Sequence, residues 1–196
     1  MRVATWNVNS VLARLPRLLP WLDERAPDVV CLQETKLSDE AFADALAAPL
    51  AERGYAYAHH GQGQWNGVAL LSRVGLDDVV RGLPDEPRFP TPDAPADARA
   101  VTATCAGLRV TSVYVPNGRT PDDPHYLYKL DWLAALRASV TDPAGRAKAV
   151  WIDRKARKGK APSDHAPVIV DLDTAPDGDL GPVVPPPSAP APVRRR

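Results

Sequence analysis

No uninterrupted apolar run in these 196 residues approaches the roughly 20 needed to cross a membrane, which excludes a bilayer-spanning helix as the organising element. The N-terminus, MRVATWNVNS, lacks an apolar stretch followed by a small-residue cleavage site, so a secretory signal is not expected. Cysteine is scarce. Cys31 and Cys105 both lie in apolar segments and read as buried thiols rather than a disulfide. Net charge is absent as well, 24 Lys+Arg standing against 24 Asp+Glu. With 44% apolar and 24% charged residues the balance is that of a globular chain, and a soluble cytoplasmic monomer is the expectation. Only proline is abundant, 22 against 12 glycines, and it is unevenly placed.

Seven prolines fall between Pro176 and Pro192, in a segment too poor in apolar residues to pack. Residues 174–196 are therefore expected to form a disordered, polyproline-like tail, leaving 1–173 as the domain. Five more lie in Pro84–Pro95, which reads as a long surface loop between strands. Short β-branched or apolar runs predict strands at Arg2–Trp6, Asp28–Gln33, Gly67–Leu71, Ala100–Cys105, Arg109–Val115, Ala149–Asp153 and Pro167–Leu172. Helices are predicted over Ser38–Glu52, behind a serine cap, and over His125–Val140, where Leu127, Leu130, Leu133, Ala134 and Leu136 recur at helical spacing. A third is expected to start at Pro16 and run to Arg25, with Pro20 an unexplained interruption. The sum is an α+β, layered α/β chain.

Chemistry-bearing residues sit at the ends of these strands, where rigid elements aim side chains into a shared crevice. Asn7 ends the first, Glu34 the second and Tyr114 a later one, while Asp164 and His165 precede the last. A lone carboxylate such as Glu34, with few other oxygen donors, suits Mg²⁺ on a phosphate substrate. Asn7 could orient a ligand or a water, and a histidine beside an aspartate can face a phosphate or act as general acid/base. Each also has an ordinary reading as a turn or surface residue. From Arg146 to Lys160 there are seven basic residues and one acid, Asp153, a cluster able to track phosphates or to remain a solvated loop.

Taken in order, Trp6-Asn7-Val8-Asn9-Ser10, Leu32-Gln33-Glu34-Thr35-Lys36, Gly67-Val68-Ala69-Leu70-Leu71, Tyr114-Val115-Pro116-Asn117-Gly118 and Ser163-Asp164-His165-Ala166-Pro167 resemble the motifs of the exonuclease III / AP endonuclease family, within the endonuclease–exonuclease–phosphatase superfamily. The resemblance spans about 1–140 and 147–173. It implies a four-layered α/β sandwich of the DNase I-like type, and Mg²⁺- or Mn²⁺-dependent hydrolysis of double-stranded DNA at abasic sites and from 3′ ends. It further implies Asn7, Glu34, Asp164 and His165 around the metal, Tyr114 and His165 as catalytic groups at the phosphate, and Lys155, Arg157, Lys158 and Lys160 on the DNA backbone.

One block departs from the family. Its members carry a Gly-Asp-x-Asn motif and an Arg-Ile-Asp type motif between the Tyr114 and Ser163 blocks, and neither occurs here. No asparagine follows Asn117, and the late Gly178-Asp179 is followed by Leu180-Gly181. An internal block is expected to be missing near 141–147, taking the water-activating aspartate and core strands with it. Two alternatives follow: a non-catalytic DNA-binding remnant, or a small-phosphoester phosphatase of the same superfamily.

Overall fold

The computed structural model describes residues 1–139, 147–158 and 162–172. The proposed tail at 174–196 and Lys160 lie outside them. Among the described residues nine strands and three helices follow in the order β1 (Arg2–Asn7), α1 (Val11–Arg25), β2 (Val29–Gln33), α2 (Asp39–Ala51), β3 (Ala56–His60), β4 (Val68–Ser72), β5 (Asp77–Arg81), β6 (Ala100–Cys105), β7 (Leu108–Val113), α3 (Pro124–Ser139), β8 (Ala147–Ile152) and β9 (Val168–Leu172), with a 3₁₀ turn at Arg154–Arg157.

Six strands form one sheet in the order β3-β4-β2-β1-β9-β8, and β5-β6-β7 form a second. Period-two alternation sorts their side chains into two cores. Ala4, Trp6, Val30, Leu32, Ala69, Leu71 and Ile169 face Leu18, Trp21 and Leu22 of α1 and Phe42, Leu46 and Leu50 of α2. From the other face Val29, Cys31, Val68 and Leu70 meet Val101, Ala103 and Cys105 of the second sheet. Ala100 turns outward to Tyr128 and Trp132 of α3. Helices, sheet, sheet, helix: the four layers are present. Both cysteines are free and buried, and burial pushes the Cys31 thiol up to about 12.

Several sequence expectations need correction. Helix α1 begins at Val11, not Pro16, and contains both Pro16 and Pro20. Their spacing of four residues puts both missing N–H groups on one exposed face, where water can solvate the unpaired carbonyls. Strands β3 and β5 were not predicted. Ala-Tyr-Ala-His-His has little β-branched content, and β5 is exposed throughout, so its pairing to β6 rather than burial keeps it in the sheet. On α3 the leucine stripe is not the buried face. Leu127, Leu130 and Leu133 are exposed, because Tyr128 and Trp132, one turn apart, fill the space against the sheet. Val140 lies outside the described residues. Most of the 141–147 junction expected to lack a block lies outside the described residues; among those described both sheets are continuous, and the smaller one ends at β7, which pairs only with β6.

Arg25 closes the joint between α1 and the segment after β8. Its Nε donates to Asp153 Oδ2 at 2.7 Å, and Trp21 Nε1 donates to the same oxygen at 3.1 Å. Burial alone would raise the Asp153 pKa; the hydrogen bonds from Arg25 and Trp21, with the Arg25 charge, outweigh it and hold the group below the usual carboxylate range. Asp153→Ala should destabilise the fold by about 3 kcal/mol, read as a lower urea midpoint, because it strands a buried guanidinium. The contribution of Asp153 is complete above the unfolded-chain pKa of about 3.9. It is lost as pH falls through the lower folded value, so acid unfolding of Asp153→Ala should lack that part of the transition.

Candidate active site

Parallel pairing of β1 with β2 sets Asn7 opposite Gln33, so the two strands end side by side and Glu34 follows at the rim. Asn7 Nδ2 donates to Glu34 Oε1 at 2.7 Å. Lys36 Nζ lies 3.0 Å from Glu34 Oε2, and it also donates to Asn9 Oδ1 at 2.5 Å. The Tyr114 hydroxyl faces Glu34 as a further donor that favours the charged carboxylate. Burial would raise the Glu34 pKa, but these donors and the Lys36 charge hold it below its ordinary value. The carboxylate is therefore ionised. Tyr114 moves the other way: burial, then the charge and hydrogen bond of Glu34, push its hydroxyl up, so it stays a neutral donor.

The second sheet delivers Tyr114 through a polar chain in which Gln33 and Ser112 are buried and Thr5 is exposed. Gln33 Nε2 donates to Thr5 Oγ1 at 3.0 Å and to Ser112 Oγ at 3.3 Å, and Ser112 Oγ donates to the Leu32 carbonyl at 3.0 Å. Ser112 thus ties β7 across the sheet interface, and Tyr114 follows two residues later. The Arg99 guanidinium lies 5.1 Å from the centre of the Tyr114 ring, and its Nε donates to Asp97 at 2.7 Å.

Strand β9 runs antiparallel to β1, so the segment entering it lies at the same edge. Ser163 Oγ donates to the Asn7 carbonyl at 2.7 Å, and Trp6 Nε1 donates to the His165 carbonyl at 3.2 Å. Asp164 Oδ1 accepts from Asn9 Nδ2 at 3.4 Å, while Asp164 Oδ2 stands 3.8 Å from His165 Nε2, an ion-pair separation rather than a hydrogen bond. Both of those side chains are exposed, free to meet a ligand.

The basic residues fall on the neighbouring side. Lys155 and Arg157 are in the 3₁₀ turn and Lys158 follows it. Lys155 Nζ is engaged with Glu24 at 2.7 Å, and Arg17 donates to the Lys158 carbonyl. A cavity of about 430 Å³ separates this turn from α1. It is lined by Trp6, Arg17, Trp21 and Lys155 among others, so Trp6 is shared between the basic side and the crevice.

Asn7, Glu34, Tyr114 and the Asp164-His165 pair thus border one crevice. Sequence reasoning did not assign Asn9, Lys36 or Arg99 to it. The first two stood inside the quoted motifs, each two residues from an assigned partner; for Arg99 no signal was present. Among the described residues, no group of three or more His, Cys, Asp or Glu could hold a metal ion.

The model of the endonuclease/exonuclease/phosphatase family matches residues 4–170. The chain is similar to exodeoxyribonuclease III of Haemophilus influenzae, 34% identical over 124 residues, which is 61% of this chain and 43% of that protein. It is similar also to the DNA repair nuclease APEX1 of Danio rerio, 29% identical over 119 residues, 60% of this chain and 36% of that one. The chain thus spans less than half the length of these curated relatives. Among solved structures, the 3′ phosphatase NExo from Neisseria bound to a product DNA hairpin superposes with a TM-score of 0.78 at 27% identity, over 89% of this chain and 100% of that one. An AP endonuclease from Archaeoglobus fulgidus, at 24% identity and a TM-score of 0.77 over the same shares, has the same fold. With the strand-end motifs gathered at one edge of the larger sheet, the match over residues 4–170 makes the chain a member of the endonuclease/exonuclease/phosphatase family.

Proposed function

We propose that this chain acts on DNA as a divalent-metal-dependent phosphodiester hydrolase of the abasic-site and 3′-end type, slowed by the absence of the Gly-Asp-x-Asn block. The observation that carries the reading is the meeting of an ionised Glu34, held by Asn7 and Lys36, with Tyr114 and the Ser163–His165 segment at one crevice.

The donor set fits Mg²⁺ or Mn²⁺ in its open form, one carboxylate with the rest of the shell left to water and substrate oxygens, and does not fit a closed cage. Glu34 would be the main ligand, with Asn7 a ligand or orienter and Asp164 and His165 at its border. Such an ion polarises the phosphoryl group and counters charge on the departing oxygen. The chain's own residues do the rest. Asn7 and Lys36 fix the carboxylate, Tyr114 offers a neutral hydroxyl to a phosphate oxygen, and His165 adds a donor where negative charge develops. The sequence lacks the family's Gly-Asp-x-Asn block with its water-activating aspartate, and loss of a general base costs about 10²–10⁴-fold in rate.

Cleavage of a duplex with one abasic site should therefore run at least about 10²-fold below a complete family member. Glu34→Gln should remove the remainder, together with Mn²⁺ binding measured by isothermal titration. Full activity abolished by His165→Ala would show that another group has taken the base role. A duplex ending in a 3′-phosphate belongs in the same panel, since the Neisseria structure is described as a 3′ phosphatase.

The second reading, DNA binding without turnover, is favoured by the sparse carboxylate set and the basic turn. Neutralising Lys155, Lys158 and Lys160 together should flatten the slope of log affinity against log salt by about two to three units. The lower figure is expected, because Lys155 is already engaged with Glu24. Fluorescence anisotropy on a short duplex at three salt concentrations measures it. An unchanged slope would remove the turn as a DNA contact.

A further inference from the structure

Thr35 is fully buried and stands between Glu34 and Lys36. Both neighbours have left-handed backbone, with φ of 53° and 56°, a conformation that crowds Cβ against the carbonyl in any residue but glycine. A turn of this kind keeps its shape only where its surroundings over-determine it. Four backbone bonds contribute: Ser10 N to Glu34 O at 2.8 Å, Val11 N to Thr35 O at 3.1 Å, Thr35 N to Gly67 O at 3.1 Å and Lys36 N to Asn66 O at 3.0 Å. The remaining hold comes from side chains with no place in the mechanism above. Thr35 Oγ1 lies 2.8 Å from His59 Nε2, and His59 Nδ1 lies 2.7 Å from Asp39 Oδ1.

We propose that Asp39, His59 and Thr35 form a positioning relay, buried at His59 and Thr35, that holds the Glu34–Lys36 turn, and through it the Glu34 carboxylate, in the geometry that receives a divalent cation. The cation half rests on the reading of Glu34 as its ligand.

The direction of each bond follows from the groups present. Burial drives the His59 pKa down to about 4, against the opposing pull of Asp39, so the imidazole is neutral near pH 7. The Asp39 oxygen already accepts from Gly61 N and faces Nδ1 as an acceptor, so Nδ1 carries the proton and donates to it. Nε2 is then an acceptor, and the Thr35 hydroxyl must donate. Each member has one role, and the Thr35 rotamer is fixed.

The surroundings lock the relay. Phe42 stacks on the imidazole at 4.1 Å and 14°, and Gly61 N donates to the same Asp39 oxygen at 2.9 Å. The other charged or titratable neighbours are His60 and Arg81, and Arg81 Nε donates to the His59 carbonyl at 2.8 Å. On the far side of Thr35, a Cβ at Gly67 would stand 2.1 Å from Oγ1, and φ there is +87°. Gly67 therefore leaves the space that the oriented hydroxyl occupies. Asp39 opens α2 and His59 lies on β3, so two elements that give no ligand are coupled to the turn that does.

A satisfied core histidine would produce the same bonds without the coupling, and local measurements separate the two. In the full 196-residue chain, Mn²⁺ affinity would be followed by the electron paramagnetic resonance signal of the free ion, and backbone order by amide hydrogen exchange. Thr35→Val and His59→Leu should each weaken Mn²⁺ binding about tenfold, the usual scale for loss of an outer partner. The Thr35 and Lys36 amides should exchange about tenfold faster, with amides of the β1–β9 pair little changed. Thr35→Ser and His59→Gln, which keep the hydroxyl donor and an acceptor for it, should restore both quantities. Wild-type values for Thr35→Val and His59→Leu would overturn the relay, and so would faster exchange spread evenly over the sheet. If His59→Leu does not fold, Asp39→Ala at the half-exposed end takes its place, with faster local exchange expected and an unchanged rate overturning the proposal. Glu34→Gln keeps the two claims apart. If it leaves Mn²⁺ affinity intact, the metal reading falls, while exchange at Thr35 and Lys36 still decides whether the relay holds the turn.

Discussion

The central pairing of β1 with β2 on one side and β9 on the other constrains everything else in this chain. Because β1 and β2 are parallel, their C-terminal ends share one edge, and Asn7 and Glu34 emerge there as neighbours. Because β9 is antiparallel to β1, the residues that enter it must start where β1 stops. Thus Ser163 reaches the Asn7 carbonyl across 156 residues of sequence. The strand directions, more than any single contact, assemble the crevice, as expected when ligands gather where the strands of a layered sheet end.

Polar groups between two apolar sheets are costly unless paired, and the pairing has consequences here. Gln33, Thr5, Ser112 and the Leu32 carbonyl satisfy one another at the interface. This fixes how the second sheet lies on the first and brings Tyr114 onto Glu34. Four donors and charges, from Asn7, Lys36 and Tyr114, then keep that carboxylate ionised despite its partial burial. A well-held single carboxylate and an exposed histidine suit a phosphate substrate that brings oxygens of its own.

Among the described residues the two sheets are unequal, six strands against three, and β7 pairs only with β6, near a helix whose Leu127, Leu130 and Leu133 face solvent. An unpaired edge and an exposed apolar stripe mark where further structure or a partner surface can attach. The curated relatives are more than twice as long as the region matched in them. The contacts among Asn7, Glu34 and Ser163 are made by β1, β2 and the segment entering β9, and do not draw on the outer edge of β7.

By itself the sequence determined the layered class, and it singled out strand-terminal polar groups such as Asn7, Glu34 and Tyr114, which mark themselves by following apolar runs and which the structure brings close together. It could not give the entry of α1, where both prolines tolerate the helix by sharing an exposed face, nor the buried face of α3, where Tyr128 and Trp132 displace the more periodic leucines. It was silent on β3 and β5, whose place in the sheets comes from hydrogen bonds to strands that are themselves well marked. Hydrophobic periodicity records only what a chain does alone. The Thr35–His59–Asp39 contacts, the Arg99–Tyr114 stack and the Arg25–Asp153 pair join residues 15 to 128 positions apart in the case of the last two, with no local pattern to betray them. Only tertiary structure decides these, because a buried polar group must take whichever partner the packing of distant elements leaves within reach.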